Sequence, residues 1–306
     1  MTFNLIDSRP GQAARVLDGL KRINAYAASE QHGASLREIE AVHKAVVARA
    51  GFTDGKAPSD DLISMLISDP DNKDLWETQL LGSQFAKDML AVTGSLDENF
   101  NAVLEGFKAY MIQDYLYSIS EIKALSERLH KATSAQDINI NLDAIVESCK
   151  YSKDVLRRCL DSRGLAIQEK QLVNARPTDD LKKYIQDQLD AAKNNEWVIG
   201  LVAIIPCVVS QCTIAKELCE DPTMIDWKLM TPWYKNWIEP NGKIALNTIA
   251  LLRSFFIANC DHWKCHYEDA KKSFQTACQG EINLWKYAEE QKNAAAGNST
   301  ANKKAT

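Results

Sequence analysis

The sequence predicts an all-α fold, a bundle of about ten helices in a chain of 306 residues. Apolar residues recur at the helical period along most of the chain. No segment shows the sustained alternation of apolar and polar residues that a half-buried strand requires. All prolines except Pro206 fall at expected helix starts or in linkers, which agrees with this fold class.

The predicted helices follow one another with short linkers. The first, SLREIEAVHKAVVARAG, begins with a Ser35 cap, carries Glu38 three residues later and ends at Gly51. Further segments share the helical period: DLWETQLLGSQFAKDMLAV, FKAYMIQDYLYSISEIKALSERLHKA, NLDAIVESCKYSKDVLRRCLD, TDDLKKYIQDQLDAAKN, DWKLMTPWYKNWI, GKIALNTIALLRSFFIANC and YEDAKKSFQTACQGEINLWKYAEEQ. We predict a helical N-terminal extension over residues 1–71, a helical domain over 72–291 and a disordered tail over 292–306, which is small and polar.

Composition and charge narrow the range of functions. The net charge of −5 provides no basic surface, so nucleic acid is not expected as a partner. The apolar run WVIGLVAIIPCVV is too short and too interrupted for a membrane span, and no secretory signal is visible at the N-terminus. We therefore expect a cytoplasmic protein with no membrane partner. The eight cysteines contain no C-x-x-C pair, so no zinc knuckle is predicted.

The segment EWVIGLVAIIPCVVSQCTIAKELC is predicted to form one apolar helix with Pro206 in its interior. A proline there removes a backbone donor and costs about 3 kcal/mol or more. We expect a kink that turns the adjacent Cys207 towards a cavity. Two embedded carboxylates, Asp114 in YMIQDYLYS and Glu281 in GEINLW, would be expensive to bury without a partner. A thiol near carboxylates from other helices indicates a nucleophile with an acid/base partner.

Four short motifs in order resemble the TenA, or thiaminase II, family of heme-oxygenase-like helical proteins, over about residues 74–290. They are Tyr110, Gln113, Asp114 and Tyr117, then Ile204-Ile205-Pro206-Cys207, then Pro232, Tyr234, Trp237 and Ile238, and finally Glu281 with Trp285. The resemblance implies a heme-oxygenase-like bundle and a hydrolase that acts on an aminopyrimidine or a related heteroaromatic amine, as in thiamin salvage. It implies a homo-oligomer and neither a metal nor an organic cofactor.

The resemblance also implies residue roles. Cys207 would be the nucleophile, Glu281 would transfer protons, and Asp114 would bind the amino edge of the pyrimidine. Tyr184 would hydrogen-bond the thiol and contact the substrate, and Tyr117 would line the pocket.

This chain departs from the family pattern behind the cysteine, where aromatic residues are usual. Val208, Val209 and Gln211 occupy that stretch, and Asn241 replaces a tyrosine after the Trp-Ile pair. We expect Gln211 and Asn241 to face the substrate in a more aliphatic or more polar pocket.

Two alternatives stay open at this stage. The Glu-x-x-His pairs Glu40–His43 and Glu127–His130, with His262 and His266 one turn apart, fit a di-iron oxidase on the same scaffold. The loss of pocket aromatics fits a protein that binds a small aromatic molecule without turnover.

Overall fold

The computed structural model describes residues 61–304 except 93, 134, 163, 195, 222 and 224–227. Within these residues eleven α-helices follow one another and no strand occurs. They are α1 Leu62–Ser68, α2 Gln84–Ala91, α3 Phe100–Lys131, α4 Ala135–Leu160, α5 Glu169–Asn174, α6 Asp179–Asn194, α7 Trp197–Val202, α8 Ile205–Glu220, α9 Glu239–Ala258, α10 Cys260–Trp263 and α11 Tyr267–Lys304. The predicted all-α class is confirmed.

Shorter helical turns join these helices. A π-helix, Asp74–Leu81, follows α1, and a second one, Tyr234–Ile238, leads directly into α9. Two short 3-10 turns, Lys228–Met230 and Lys264–His266, precede the second π-helix and α11.

The two longest helices, α3 and α11, form the centre of the bundle and contact each other extensively. α4 and α6 pack on α3, α6 and α8 pack on α11, and α9 packs on α8. Gly106 allows the close approach of the central pair, because a Cβ there would lie 2.6 Å from the Ala288 carbonyl oxygen of α11. The helices that carry the predicted site residues are therefore direct neighbours.

The predicted kinked helix around Pro206 is wrong in one respect. The chain forms two helices, α7 and α8, separated by a turn at Ala203 and Ile204, and Pro206 lies in the first turn of α8. A proline at that position loses no intrahelical hydrogen bond, because the first N–H groups of a helix have no partner within it. The expected cost of an interior proline therefore does not arise. Gln188 of α6 donates to the Ala203 carbonyl oxygen at the break, at 3.1 Å.

The predicted region boundaries differ from the structure at both ends. Most of the 1–71 extension, including the helix predicted at 35–51, lies outside the described residues. Its last part belongs to the bundle, because α1 packs on α9 and its residues Leu62, Ile63 and Leu66 are fully buried. The tail predicted to be disordered from 292 instead continues α11 to Lys304. Alanines favour a helix there, and Lys292 pairs with Asp88 of α2.

One stretch, Val198–Glu220, is long and apolar enough to cross a membrane by length and composition, with a mean hydropathy of 2.2. The structure buries 78% of the most apolar 18-residue segment of this stretch inside the protein. A buried core helix passes the same test, and here the stretch is interrupted between α7 and α8. Its apolar character is explained by its position in the core.

Candidate active site

Four helices bring the predicted site residues to one region of the bundle interior. α3 contributes Tyr110, Asp114 and Tyr117, which share one face because they recur every three or four residues; α6 contributes Tyr184, α8 contributes Cys207 and Gln211, and α11 contributes Glu281. All of them are buried except Cys207, which keeps part of its surface accessible. The contacts described below connect these side chains with one another, except Asp114, whose hydrogen bond goes to Tyr151 of α4.

Glu281 is the most deeply buried acid of this network, with 0% of its surface exposed. The Tyr184 hydroxyl donates to its Oε1 at 2.9 Å, while Oε2 has no hydrogen-bond partner among the described residues. Burial raises the pKa of the Glu281 carboxyl to about 8, partly offset by the Tyr184 hydrogen bond and reinforced by the charge of Asp114. The group is therefore mostly protonated at neutral pH and can act as a proton donor.

Gly280 determines how Tyr184 reaches this acid. A Cβ at Gly280 would lie 2.2 Å from Cγ of the Tyr184 ring, so only glycine leaves room for the ring against α11. Tyr117 of α3 stacks on the Tyr184 ring, with ring centroids 5.1 Å apart and an interplanar angle of 15°. The Tyr184 ring is thus held between α3 and α11.

Cys207 lies beside Glu281, and the amide of Gln211 is a donor close to its sulfur. Nε2 of Gln211 lies 3.5 Å from Cys207 Sγ and 3.4 Å from the Tyr110 hydroxyl. Burial raises the pKa of the Cys207 thiol well above its usual value, and the nearby Glu281, Glu121 and Asp114 charges raise it further. Neighbouring groups desolvate Cys207, and part of its surface stays accessible.

Tyr117, rather than Tyr184, is the tyrosine whose hydrogen bond acts on the thiol. Its hydroxyl lowers the pKa of Cys207, whereas the Tyr184 hydroxyl donates to Glu281. Gln188 donates to the Tyr117 hydroxyl oxygen at 2.7 Å, which leaves the proton of that hydroxyl for the sulfur. The predicted bond between Tyr184 and the thiol is therefore corrected, because the Tyr184 ring crosses α11 at Gly280 and points to the acid.

Asp114 is held by a residue that the sequence motifs did not indicate. The Tyr151 hydroxyl of α4 donates to Asp114 Oδ2 at 3.1 Å. Burial raises the pKa of the Asp114 carboxyl to about 6, while the Tyr151 bond and the charge of Arg158 oppose that shift. Asp114 therefore remains mostly ionised at neutral pH and can accept hydrogen bonds. Tyr151 could have been found only by aligning the buried face of α4 against that of α3.

Gln113, which belongs to the same motif as Asp114, hydrogen-bonds to the backbone that precedes α6. Its Oε1 accepts from the Thr178 backbone N–H at 3.0 Å, and its amide donates to the Arg176 carbonyl oxygen at 3.2 Å. These bonds fix the segment that enters α6, and hence the helix that carries Tyr184.

An aromatic cluster closes one side of the region. Tyr110 stacks on Trp285 at a centroid distance of 4.7 Å, and Trp237 meets both rings edge-on. Within the part of the chain that the structure describes, the indole N–H groups of Trp237 and Trp285 are buried without a hydrogen-bond partner. Both tryptophans are buried in the core, with 1% of Trp237 and 3% of Trp285 exposed.

The four positions at which this chain departs from the family pattern have different environments in the structure. Gln211 contacts the thiol directly, Val209 is buried in α8 and Val208 is half-buried. Asn241 is half-buried in the first turn of α9, so its contact with a substrate remains a prediction.

Only part of the residue set of the di-iron alternative lies within the described residues. Glu40 and His43 lie outside the described residues, and Glu127 lies 3.8 Å from Lys193 in an ion pair. Over residues 61–304, less the gaps given above, no group of three or more His, Cys, Asp or Glu side chains is placed to hold a metal ion.

Comparison with known proteins relates this chain to one protein family. The profile of the TENA/THI-4/PQQC family matches residues 102–291, which include Asp114, Tyr184, Cys207 and Glu281. No curated protein matches the chain.

Solved structures share the fold over most of this chain. A TenA homologue from P. horikoshii OT3 has 20% identity and a TM-score of 0.61, over 75% of this chain and 99% of its own. A TenA family transcription regulator from Silicibacter sp. TM1040 has 17% identity and a TM-score of 0.60, over 76% and 97%. A TenA homologue from Pyrococcus furiosus has 18% identity and a TM-score of 0.58, over 74% and 99%.

Proposed function

The chain belongs to the TENA/THI-4/PQQC family, and on that premise we propose that it catalyses a cysteine-dependent hydrolytic substitution on an aminopyrimidine or a related heteroaromatic amine. One observation supports the proposal above the others. The partly accessible thiol of Cys207 lies beside the protonated carboxyl of Glu281, whose Oε2 has no partner among the described residues.

Substrate binding would use the ionised carboxylate of Asp114. It accepts one hydrogen bond from Tyr151 and retains further lone pairs for the amino group of a pyrimidine. The stacked Tyr110 and Trp285 rings and the Tyr117–Tyr184 pair provide flat apolar surfaces on neighbouring helices. A flat heteroaromatic ring with an exocyclic amine fits this combination of one acid and several aromatic faces.

The chemistry then needs a nucleophile and one proton donor. Cys207 Sγ forms a bond to an electron-poor ring carbon, with the charge on the sulfur stabilised by Tyr117, and the electron pair moves to a ring nitrogen. The thiol proton passes to that nitrogen and returns to the sulfur when the sulfur leaves. Glu281 gives its proton to the leaving amine, which departs from the exocyclic methylene. Water adds at that methylene and returns a proton to Glu281, and the sulfur is then expelled. The net reaction replaces an amine by a hydroxyl.

A second candidate is binding without turnover. It is favoured by the raised pKa of Cys207, which keeps the resting thiol protonated, and by Gln211 in place of an aromatic residue. Such a protein would be stabilised by its ligand without consuming it. The cytoplasmic location and the homo-oligomer also remain proposals.

Product analysis separates the two candidates. Wild type and Cys207→Ser are incubated with thiamin and with its aminomethylpyrimidine breakdown product, and the products are followed by mass spectrometry. We expect hydroxymethylpyrimidine from wild type and from the control Cys265→Ser, which lacks an exposed thiol, but not from Cys207→Ser. Equal rates for wild type and Cys207→Ser would exclude the thiol from the reaction.

A further inference from the structure

Arg128, near the end of α3, is a buried cation that the proposed reaction does not use. Only 1% of its surface is exposed. Its Nη2 donates to Asn141 Oδ1 at 2.9 Å, but its Nε and Nη1 have no hydrogen-bond partner among the residues that the structure describes. Buried donors of this kind are costly to leave unmade, more so when they belong to a charged group. The guanidinium thus presents a pair of available donors, Nε and Nη1, inside the bundle.

The position of Arg128 on α3 relates it to the thiol. Tyr117, Glu121 and Arg128 recur at helical spacing and share one face of the helix. Arg128 follows Tyr117 by about three turns, roughly 16 Å along the helix axis, and Glu121 lies between them on the same face. The charge of Glu121 acts on the pKa of the Cys207 thiol, and the charge of Arg128 acts on the pKa of Glu121, so Glu121 connects the two groups.

Glu121 lies between these two groups on α3. The Ser148 hydroxyl of α4 donates to its carboxyl. Burial raises the pKa of the Glu121 carboxyl, while the Ser148 hydrogen bond and the charge of Arg128 oppose that rise. Glu121 keeps part of its surface accessible, as Cys207 does.

The surrounding helices fix the arginine side chain. A Cβ at Gly200 of α7 would lie 3.4 Å from Cγ and 3.5 Å from Cδ of Arg128, and 3.1 Å from the Cα of Ala192 in α6. The aliphatic part of Arg128 is thus enclosed by α6 and α7, while Asn141 holds one end of the guanidinium. A guanidinium fixed in this way is preorganised for two-point binding of an oxyanion.

We propose that Arg128 binds an anionic group, a phosphate or a carboxylate, carried on the leaving-group side of the substrate. The inference rests on the proposed function and adds a substrate class to it: a heteroaromatic amine whose departing part is anionic. A charge-assisted bond of this kind corresponds to roughly 10- to 100-fold in affinity.

The first experiment measures anion binding without any reaction. Thermal unfolding of wild type, Arg128→Met and Arg128→Lys is followed with inorganic phosphate or with chloride at equal ionic strength, and the exposed Arg157→Met variant is the control for a lost positive charge. We expect phosphate to raise the melting temperature of wild type and Arg157→Met but not of Arg128→Met, with a smaller rise for Arg128→Lys. No rise in wild type overturns the inference even if the Arg128 variants do not fold, and an equal rise in Arg128→Met also overturns it.

The second experiment compares thiamin with thiamin monophosphate, which differ only by a phosphate on the leaving thiazolium. Their affinities are measured by calorimetry in a Cys207→Ala background, so that neither is consumed. We expect thiamin monophosphate to bind about 10- to 100-fold more tightly, and the difference to vanish when Arg128→Met is added. Equal affinities would overturn the inference and leave the proposed function intact. If neither compound binds, the proposed aminopyrimidine site is wrong, and the phosphate experiment alone decides the role of Arg128.

Discussion

Burial of the Glu281 carboxyl lowers the stability of the folded protein at pH values where this group ionises. Its carboxyl has an ordinary pKa of 4.5 and a pKa of about 8 in the folded protein. The folded state therefore binds more protons than the unfolded state between these values, and stability falls as the pH rises from about 4.5 to 8. We expect Glu281→Gln to be more stable than wild type at pH 8 by up to about 4 kcal/mol, and similar at pH 4.5.

Urea unfolding of both proteins at pH 4.5 and pH 8 measures this difference. Glu290→Gln, an exposed acid on the same helix, is the control and should match wild type at both values. Asp114→Asn should show the same sign over a narrower range, because the pKa of Asp114 rises only from 3.8 to about 6. A Glu281→Gln variant that gains nothing at pH 8 would contradict the assignment of Glu281 as a buried proton donor.

The reactivity of Cys207 should follow the charge of Glu281. Burial and the neighbouring carboxylates raise the pKa of the thiol, so alkylation by iodoacetamide should be slow at pH 7 relative to the exposed Cys265. At pH 9 the ionised Glu281 opposes thiolate formation, and Glu281→Gln removes that charge. We expect Cys207 in Glu281→Gln to react several-fold faster than in wild type at pH 9, as measured by peptide mass spectrometry.

Cys265 in the same samples is the internal control and should react equally in both proteins. An unchanged rate at Cys207 would mean that the carboxyl does not influence the sulfur. A decrease would indicate that the introduced amide blocks access to the thiol.

Single residues were predictable from sequence where a motif carried them. Asp114, Cys207, Glu281, Tyr117 and Tyr184 were identified from spacing and resemblance, and the structure brings them together. The residues that surround these side chains were not identified from the sequence. Tyr151, Gln188, Glu121 and Arg128 occupy positions typical of any amphipathic helix, and their relation to the site depends on which helix faces which. That pairing is a tertiary property with no local signal.

At the scale of helices, Gly280 lets the Tyr184 ring of α6 pack directly on α11. Tyr184 reaches Glu281 only because α11 has no side chain at that position. We expect Gly280→Ala to displace the Tyr184 ring, to lower kcat at least ten-fold if the proposed reaction occurs, and to destabilise the fold by about 1–3 kcal/mol.

Gly297→Ala on the same helix is the matched control, since a Cβ there meets nothing within 4 Å. It should leave activity unchanged and stabilise the protein by up to about 1 kcal/mol, the usual preference for alanine over glycine in a helix. Urea unfolding and the thiamin product assay measure both variants. Equal behaviour of the two would show that the contact between Gly280 and Tyr184 is unimportant.

The break between α7 and α8 explains why one sequence expectation failed. The apolar run on both sides of Pro206 satisfies the helical period without interruption, and periodicity alone cannot distinguish one kinked helix from two helices. What ends α7 is the turn at Ala203 and Ile204, whose freed carbonyl oxygen is satisfied by Gln188 of another helix. Cys207 is therefore presented by the first turn of a helix, and the proline fits that turn without strain.

For the whole molecule, the helical period predicted the fold class and most helices, because amphipathic helices are specified locally. The boundaries of the domain were less predictable. Polar residues at 69–71 look like a linker in sequence, yet Asp69 and Asp71 pair with Lys271 of α11. The small residues beyond 292 look disordered, yet they extend a helix that is already formed and anchored.

The beginning of the domain leads to a test of the molecule as a whole. Leu62, Ile63 and Leu66 of α1 are fully buried against the bundle, and Arg253 of α9 lies 3.5 Å from Asp61. Full burial of an aliphatic side chain contributes about 1.5–3 kcal/mol. A chain that starts at residue 72, the predicted boundary, should therefore be less stable than one that starts at residue 61 by at least about 4 kcal/mol. Urea unfolding of the two truncated chains measures the difference, with Leu96→Ser, at a side chain 99% exposed, as a substitution that should change nothing. Equal midpoints for the two chains would mean that α1 is an appendage and that the bundle begins at the predicted boundary after all.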